Sequence, residues 1–333
     1  MVDLDALRKK FREEKLKSAS PAPLVSDHIP ERNLTQEAES HYHLAECYDR
    51  GLEGYEADEE KAMLEYLAAA ELGHTTAMTD VSSDYSDEEN SILGFDLAKA
   101  EQWAKKAITL GNPDGYKGLF DVFECQGDGE KAINQLEIGI SKGSRDCIQW
   151  LSFLLYYGES VAEYQVEQDE ERAFKLLSSI NWDKEHFIAL EILGNIYWNR
   201  DEISNAKTCY EKALSAYIKN YTVMSKLGSL LWQEKEVRDY PRAKELLTRA
   251  AENDIINAMN ELGVMLYLGE GCEQDEKAAI HWIRMAAQKG HPTAMINLYD
   301  LLQEDNYDEA LYWLDQAAKK GSAEAKERLQ EMK

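Results

Sequence analysis

The 333-residue sequence predicts an all-α chain, an α-α superhelix or solenoid of about eight helix-turn-helix repeats. Three observations predict it. One pattern recurs every 32 to 42 residues. Each copy sets a small residue four positions before an apolar anchor, so that both lie on one helix face. Later in each copy comes a K-A-x-x-W/Y-like run, which in many copies closes on A-A-x-x-G. The pattern is clearest at Ala258 and Leu262-Gly263, followed by Lys277-Ala278-Ala279, Trp282, Ala286-Ala287 and Gly290.

Taken in order, the first-helix anchors are Leu44, Val81, Leu119, Leu151, Leu193, Leu227, Leu262 and Leu298. Four residues before them stand Ser40, Ala77, Gly115, Cys147, Ala189, Val223, Ala258 and Ala294, mostly small, which predicts close helix approach. Second helices centre on Ala62, Ala100, Ala132, Ala173, Ala206, Ala243, Ala279 and Ala310. Two turns further on the same face come Ala69, Ala107, Gly139, Ile180, Ala213, Ala250, Ala286 and Ala317. Tyr66, Trp103, Tyr210, Trp282 and Trp313 fill the face between. Glycines eleven residues past the alanine, at Gly73, Gly111, Gly143, Gly290 and Gly321, predict left-handed helix caps.

The run Leu262-Gly263-Val264-Met265, Gly269-Glu270-Gly271 and Lys277-Ala278-Ala279-Ile280-His281-Trp282 through Gly290 resembles the Sel-like (SLR) repeat family, a relative of the tetratricopeptide repeat. The resemblance runs from about Glu37 to the C-terminus. It is weakest at Leu119, at Leu193 and above all at Leu151, which carries a long acidic connection from Gly158 to Arg172. It implies a protein-interaction scaffold or adaptor and supplies no catalytic residues.

Residues 1–36 stand outside the repeats, and residues 37–333 form the expected solenoid. Leu4, Leu7 and Phe11 predict a short amphipathic helix, and a flexible linker follows from Ala19 to Pro30. The stretch Ser82 to Ser91 reads as a solvated acidic loop, without the order of a calcium loop. There are 37 Lys+Arg against 63 Asp+Glu, a formal net charge of -26. That balance argues against nucleic acid and anionic membrane and for a basic protein partner. With no apolar leader and no stretch near the ~18 apolar residues of a spanning helix, a cytoplasmic protein is expected. Five scattered cysteines, Cys47, Cys125, Cys147, Cys209 and Cys272, read as buried free thiols.

The sequence offers no catalytic residues, no metal site and no cofactor motif. His41 and His43, two apart on a helix, point away from each other. Gly127-Asp128-Gly129 and Gly269-Glu270-Gly271 lack the phosphate-loop context and read as turns. One series stands out: five residues after the anchor, consecutive repeats carry Tyr156, Trp198, Trp232 and Tyr267. Around them lie Gln149, Glu191, Ser225 and Asn260, two before the anchor, and Phe153, Asn195, Ser229 and Val264, two after it. Aromatics among polar groups suit a concave groove that holds a peptide or helix; the competing reading packs the same rings between neighbouring first helices. Tyr156, Trp198, Trp232, Tyr267, Gln149, Glu191, Asn195 and Ser229 are the candidate partner-binding residues.

The sequence therefore points to a non-enzymatic scaffold or adaptor that holds a polypeptide, a basic one by charge complementarity, in an acidic concave groove. An immunity or inhibitor protein that neutralises a cationic toxin or nuclease is the alternative, and an enzyme is the alternative of another class. Oligomeric state is not predicted.

Overall fold

The computed structural model describes residues 31–182, 186–216 and 219–332. The amphipathic helix and linker expected within residues 1–30 lie outside the described residues. Among those described there are seventeen helices and one two-stranded hairpin. Eight helix pairs match the eight anchors, and one further helix closes the chain.

The chain divides into two compact units, Met1–Ser179 and Ile180–Lys333. In the first, α1 (Glu31–Arg50) pairs with α2 (Glu59–Glu71), α3 (Thr75–Ser86) with α4 (Leu97–Thr109), and α5 (Gly115–Cys125) with α6 (Gly129–Ser141). Then α7 (Arg145–Tyr157) leads through strands β1 (Ser160–Val161) and β2 (Tyr164–Gln165) to α8 (Glu170–Ser178). In the second unit the pairs are α9 (Phe187–Asn199) with α10 (Ile203–Ala216), α11 (Tyr221–Gln233) with α12 (Tyr240–Glu252), α13 (Ile256–Leu268) with α14 (Glu276–Gln288), and α15 (Pro292–Leu302) with α16 (Tyr307–Lys319). Helix α17 (Ala323–Glu331), not anticipated as a separate element, is capped by Ser322 and buries Ala325.

The periodic residues form the cores. Every second-helix alanine from Ala62 to Ala310 is buried, as are all first-helix anchors except the half-buried Leu44. A small residue beside an anchor lets the helices of a pair approach closely: a Cβ added to Gly263, next to Leu262, would meet Ile283 Cγ1 at 2.5 Å. The five expected cap glycines adopt φ between +87° and +103°. Residue 254 takes that role after α12, where Asp254 stands at φ 67°.

Seven of the eight second helices open on an Asp or Asn whose side chain accepts a backbone N–H of the first turn: Asp58, Asp96, Asp128, Asp169, Asp239, Asp275 and Asn306. Part of the acidity is therefore helix-capping machinery.

Two expectations are corrected, and one connection proves more ordered than its sequence specified. Residues 82–86 belong to α3 rather than to a solvated loop. There Asp84 is buried because its carboxylate accepts the N–H groups of Ile92 (3.0 Å) and Leu93 (2.9 Å) and the Ser91 hydroxyl (3.0 Å), folding the following turn back onto the helix. The acidic connection after α7 is partly structured: β1 and β2 pair antiparallel, and Val161 and Val166 are buried. A Cβ on Gly129 would meet the Val161 carbonyl oxygen at 2.1 Å, so glycine is what lets this hairpin lie against α6. Cys47, Cys147 and Cys209 are buried, but Cys125 is exposed and Cys272 half-buried, because Cys125 is the last residue of α5 and Cys272 lies in the turn between α13 and α14.

Candidate functional site

In the second unit, the first helices α9, α11 and α13 bring the expected aromatics beside glutamates contributed by the next repeat. Trp198, near the end of α9, donates its indole N–H to Glu234, just past α11, at 2.8 Å. Trp232, one repeat later, donates its indole N–H to Glu270, just past α13. The Tyr240 hydroxyl also donates to Glu270, at 3.3 Å. Both tryptophans are half-buried, so each ring presents part of its surface next to a carboxylate. Tyr267 on α13 is 39% exposed and its neighbour Leu268 55%, an accessible apolar step in the same series.

The expected polar lining divides. Glu191 receives an ion pair from Lys226 at 2.7 Å, linking α9 to α11. Asn195 turns toward its own repeat and accepts the hydroxyl of the fully buried Tyr210 at 2.8 Å. Ser229 is buried, its hydroxyl lying against the Ser225 carbonyl at 2.8 Å and against the Glu261 carboxylate. Ser225 and Asn260 are buried too, and Asn260 accepts an amide N–H of Asn297 at 2.9 Å. Glu191, Ser229 and Asn260 thereby tie successive first helices together, whereas Asn195 ties the two helices of one repeat. Burial pushes the Glu261 carboxyl up to about 7, because its charged form has lost water and the Ser229 hydroxyl offsets only part of that loss.

Gln149 and Tyr156 lie on α7 in the first unit, both half-buried, where the Tyr156 ring meets Tyr157 edge-on with centroids 4.9 Å apart. The structure thus sets Trp198 against Glu234, Trp232 against Glu270, Glu191 against Lys226 and Ser229 against Glu261, partners that the aromatic series did not single out. The missed signal is a spacing: Glu234 follows Trp198 by 36 residues and Glu270 follows Trp232 by 38, one repeat in each case. A half-open indole beside a fixed carboxylate can receive a cationic side chain through both charge and the ring face.

Among the described residues no helix is long and apolar enough to cross a membrane. The family profile of the Sel1 repeat matches residues 38–74, 92–112, 146–179, 224–255, 256–291 and 294–322, more than half of the chain. Among solved structures, the chain is similar to a protective antigen of uropathogenic Escherichia coli with an SLR fold. The identity is 22%, over 92% of this chain and 67% of that one, with a TM-score of 0.58. It is also similar to a Sel1 repeat protein from Oxalobacter formigenes at 18% identity, over 96% of this chain and all of that one, with a TM-score of 0.47.

Proposed function

Because the chain belongs to the Sel1 repeat family, we propose that it is a non-enzymatic scaffold that captures a polypeptide partner along the first helices α9, α11 and α13. Folds of this kind generally serve protein–protein interaction. The observation that carries the reading is the repeated pairing of a half-buried tryptophan with a glutamate of the next repeat, Trp198 with Glu234 and Trp232 with Glu270. Tryptophan is the side chain that most often dominates binding energy at interfaces. Its N–H is already engaged here, so a partner meets a ring whose orientation is set in advance.

The partner's character follows from charge. With a net charge of -26, the chain attracts a basic polypeptide over distance and repels an acidic one. Neutralisation of a cationic toxin or nuclease is one form such a partnership takes, and regulatory adaptation is another. The test is affinity capture from the native cell with the intact chain, then titration of the recovered partner. Trp198→Ala and Trp232→Ala are each expected to weaken binding by roughly tenfold or more, as hot-spot tryptophans do. Raising salt is expected to slow association steeply. Binding indifferent to both tryptophan substitutions sinks the assignment of the site, and an association rate indifferent to salt sinks the basic partner.

A further inference from the structure

Where α1 ends in the first unit, three side chains of different chemistry converge. His43 and Cys47 stand four residues apart and so share one face of the helix; the His43 Nδ1 and the Cys47 Sγ are 3.3 Å apart. After the helix, Gly51 at φ 63° and Glu53 at φ 52° turn the chain back on itself. This brings a Glu53 carboxylate oxygen to 3.5 Å from the His43 Nε2. One ligand atom from each of the three residues lies within 4.8 Å of the other two. Among the described residues this is the group of histidine, cysteine and carboxylate ligands so arranged.

We infer that His43, Cys47 and Glu53 form a binding site for a transition-metal ion of the zinc class. The donor set decides the class. Thiolate with imidazole selects zinc, copper and their neighbours over magnesium and calcium, which take oxygen ligands. The geometry is compatible: in a tetrahedral zinc site neighbouring donor atoms stand about 3.4–3.6 Å apart. The His43–Cys47 pair, at 3.3 Å, stands slightly inside that separation and needs only a small opening to admit an ion. The sulfur is anchored, since Cys47 is 1% exposed. The His43 and Glu53 side chains are 61% and 64% exposed. They are free to rotate toward one ion, which binds a single imidazole nitrogen and draws the carboxylate in. An ion meets the exposed His43 and Glu53 from solvent first. Three protein ligands leave a fourth position open to water or to a group from a partner.

No single spacing in the sequence reveals this site, because the third ligand arrives through a turn rather than along the helix. His41, two residues earlier, points elsewhere and pairs with the buried Glu65.

The experiment is titration of the full chain with Co(II), a spectroscopic stand-in for Zn(II). The wild-type chain is expected to saturate at one equivalent and to develop a near-ultraviolet thiolate-to-cobalt charge-transfer band that Zn(II) abolishes. The band is expected to vanish in Cys47→Ala and in His43→Ala, and to persist when the exposed and half-buried thiols are removed together in Cys125→Ser/Cys272→Ser. Cys47→Ala changes a buried position, whereas His43→Ala changes an exposed side chain, so the second variant answers even if the first fails to fold. Glu53→Gln is expected to weaken binding by about tenfold or more, at least the loss typical of an outer-shell partner. A wild-type chain that gives no band overturns the site, and so does a band that survives in His43→Ala.

Discussion

Asp80 shows at the residue scale what burial does to a single charge. It lies on α3, its Oδ2 is sealed from solvent and accepts no hydrogen bond among the described residues, and its carboxyl is pushed up to about 7. Loss of water is the largest cause, and the negative charges of Asp146, Asp49 and Glu46 add to it. Glu261 in the second unit reaches about 7 as well, again through burial. An unfolded carboxyl titrates near 4. Between that value and 7 the folded chain holds protons that the unfolded chain has already released, so stability falls as pH rises through this window. Above pH 7 the full penalty stands. Asp80→Asn removes the ionisation, and the stability gained relative to wild type is expected to be about 1–3 kcal/mol greater at pH 8 than at pH 5. Urea midpoints at the two pH values measure it; an effect equal at both would refute the titration of Asp80 in this range.

The unit of construction at the element scale is the capped second helix. Asp275 accepts the N–H of Ala278 at 2.9 Å and opens α14. Asp275→Ala is expected to cost about 1 kcal/mol, with Asp275→Asn recovering most of it because the amide oxygen still accepts. Chemical denaturation of the three chains tests this, and an alanine variant as stable as wild type would contradict it. The other end of the element offers the opposite change. Asp254 occupies the left-handed cap after α12 that glycine fills in five other repeats. Asp254→Gly is expected to raise stability by up to about 1 kcal/mol by relieving Cβ crowding. The exposed ion pair of Asp254 with Lys289, 3.1 Å long, contributes little against that gain. A fall in thermal midpoint would show that the ion pair outweighs the backbone.

Charge governs behaviour at the scale of the whole molecule. A net charge of -26 spread over the chain opposes compaction through self-repulsion. Local pairing relieves only part of it: Lys226 serves Glu191, Arg284 serves Glu309, and Arg328 lies between Asp300 and Glu324. The screening length falls from about 30 Å at 0.01 M salt to about 8 Å at 0.15 M. The free chain is therefore expected to gain thermal stability over that range, while complex formation with a basic partner slows. Calorimetry reads the first effect and stopped-flow mixing the second. A melting temperature that drops with added salt would mean that attractive pairs, not repulsion, dominate the surface.

Much of this molecule was legible in advance. The spacing of Leu193, Leu227 and Leu262, the alanines at Ala243 and Ala279, and the glycines at Gly111 and Gly290 determined the element type, the pairing of helices and the buried faces. These properties depend on which residues recur at helical intervals along a single chain. Trp198, Trp232 and Tyr267 could be picked out for the same reason. The sequence could not say where their polar neighbours would turn. Asn195 faces Tyr210 in its own repeat, Ser229 is buried against Glu261, and Asp84 folds a turn that composition alone assigned to solvent. Nor could it place Glu234 beside Trp198, or Glu53 beside His43 and Cys47. Such contacts join residues from different repeats or across a reversing turn. The distance between them is set by how neighbouring helices pack, and only the tertiary structure decides that.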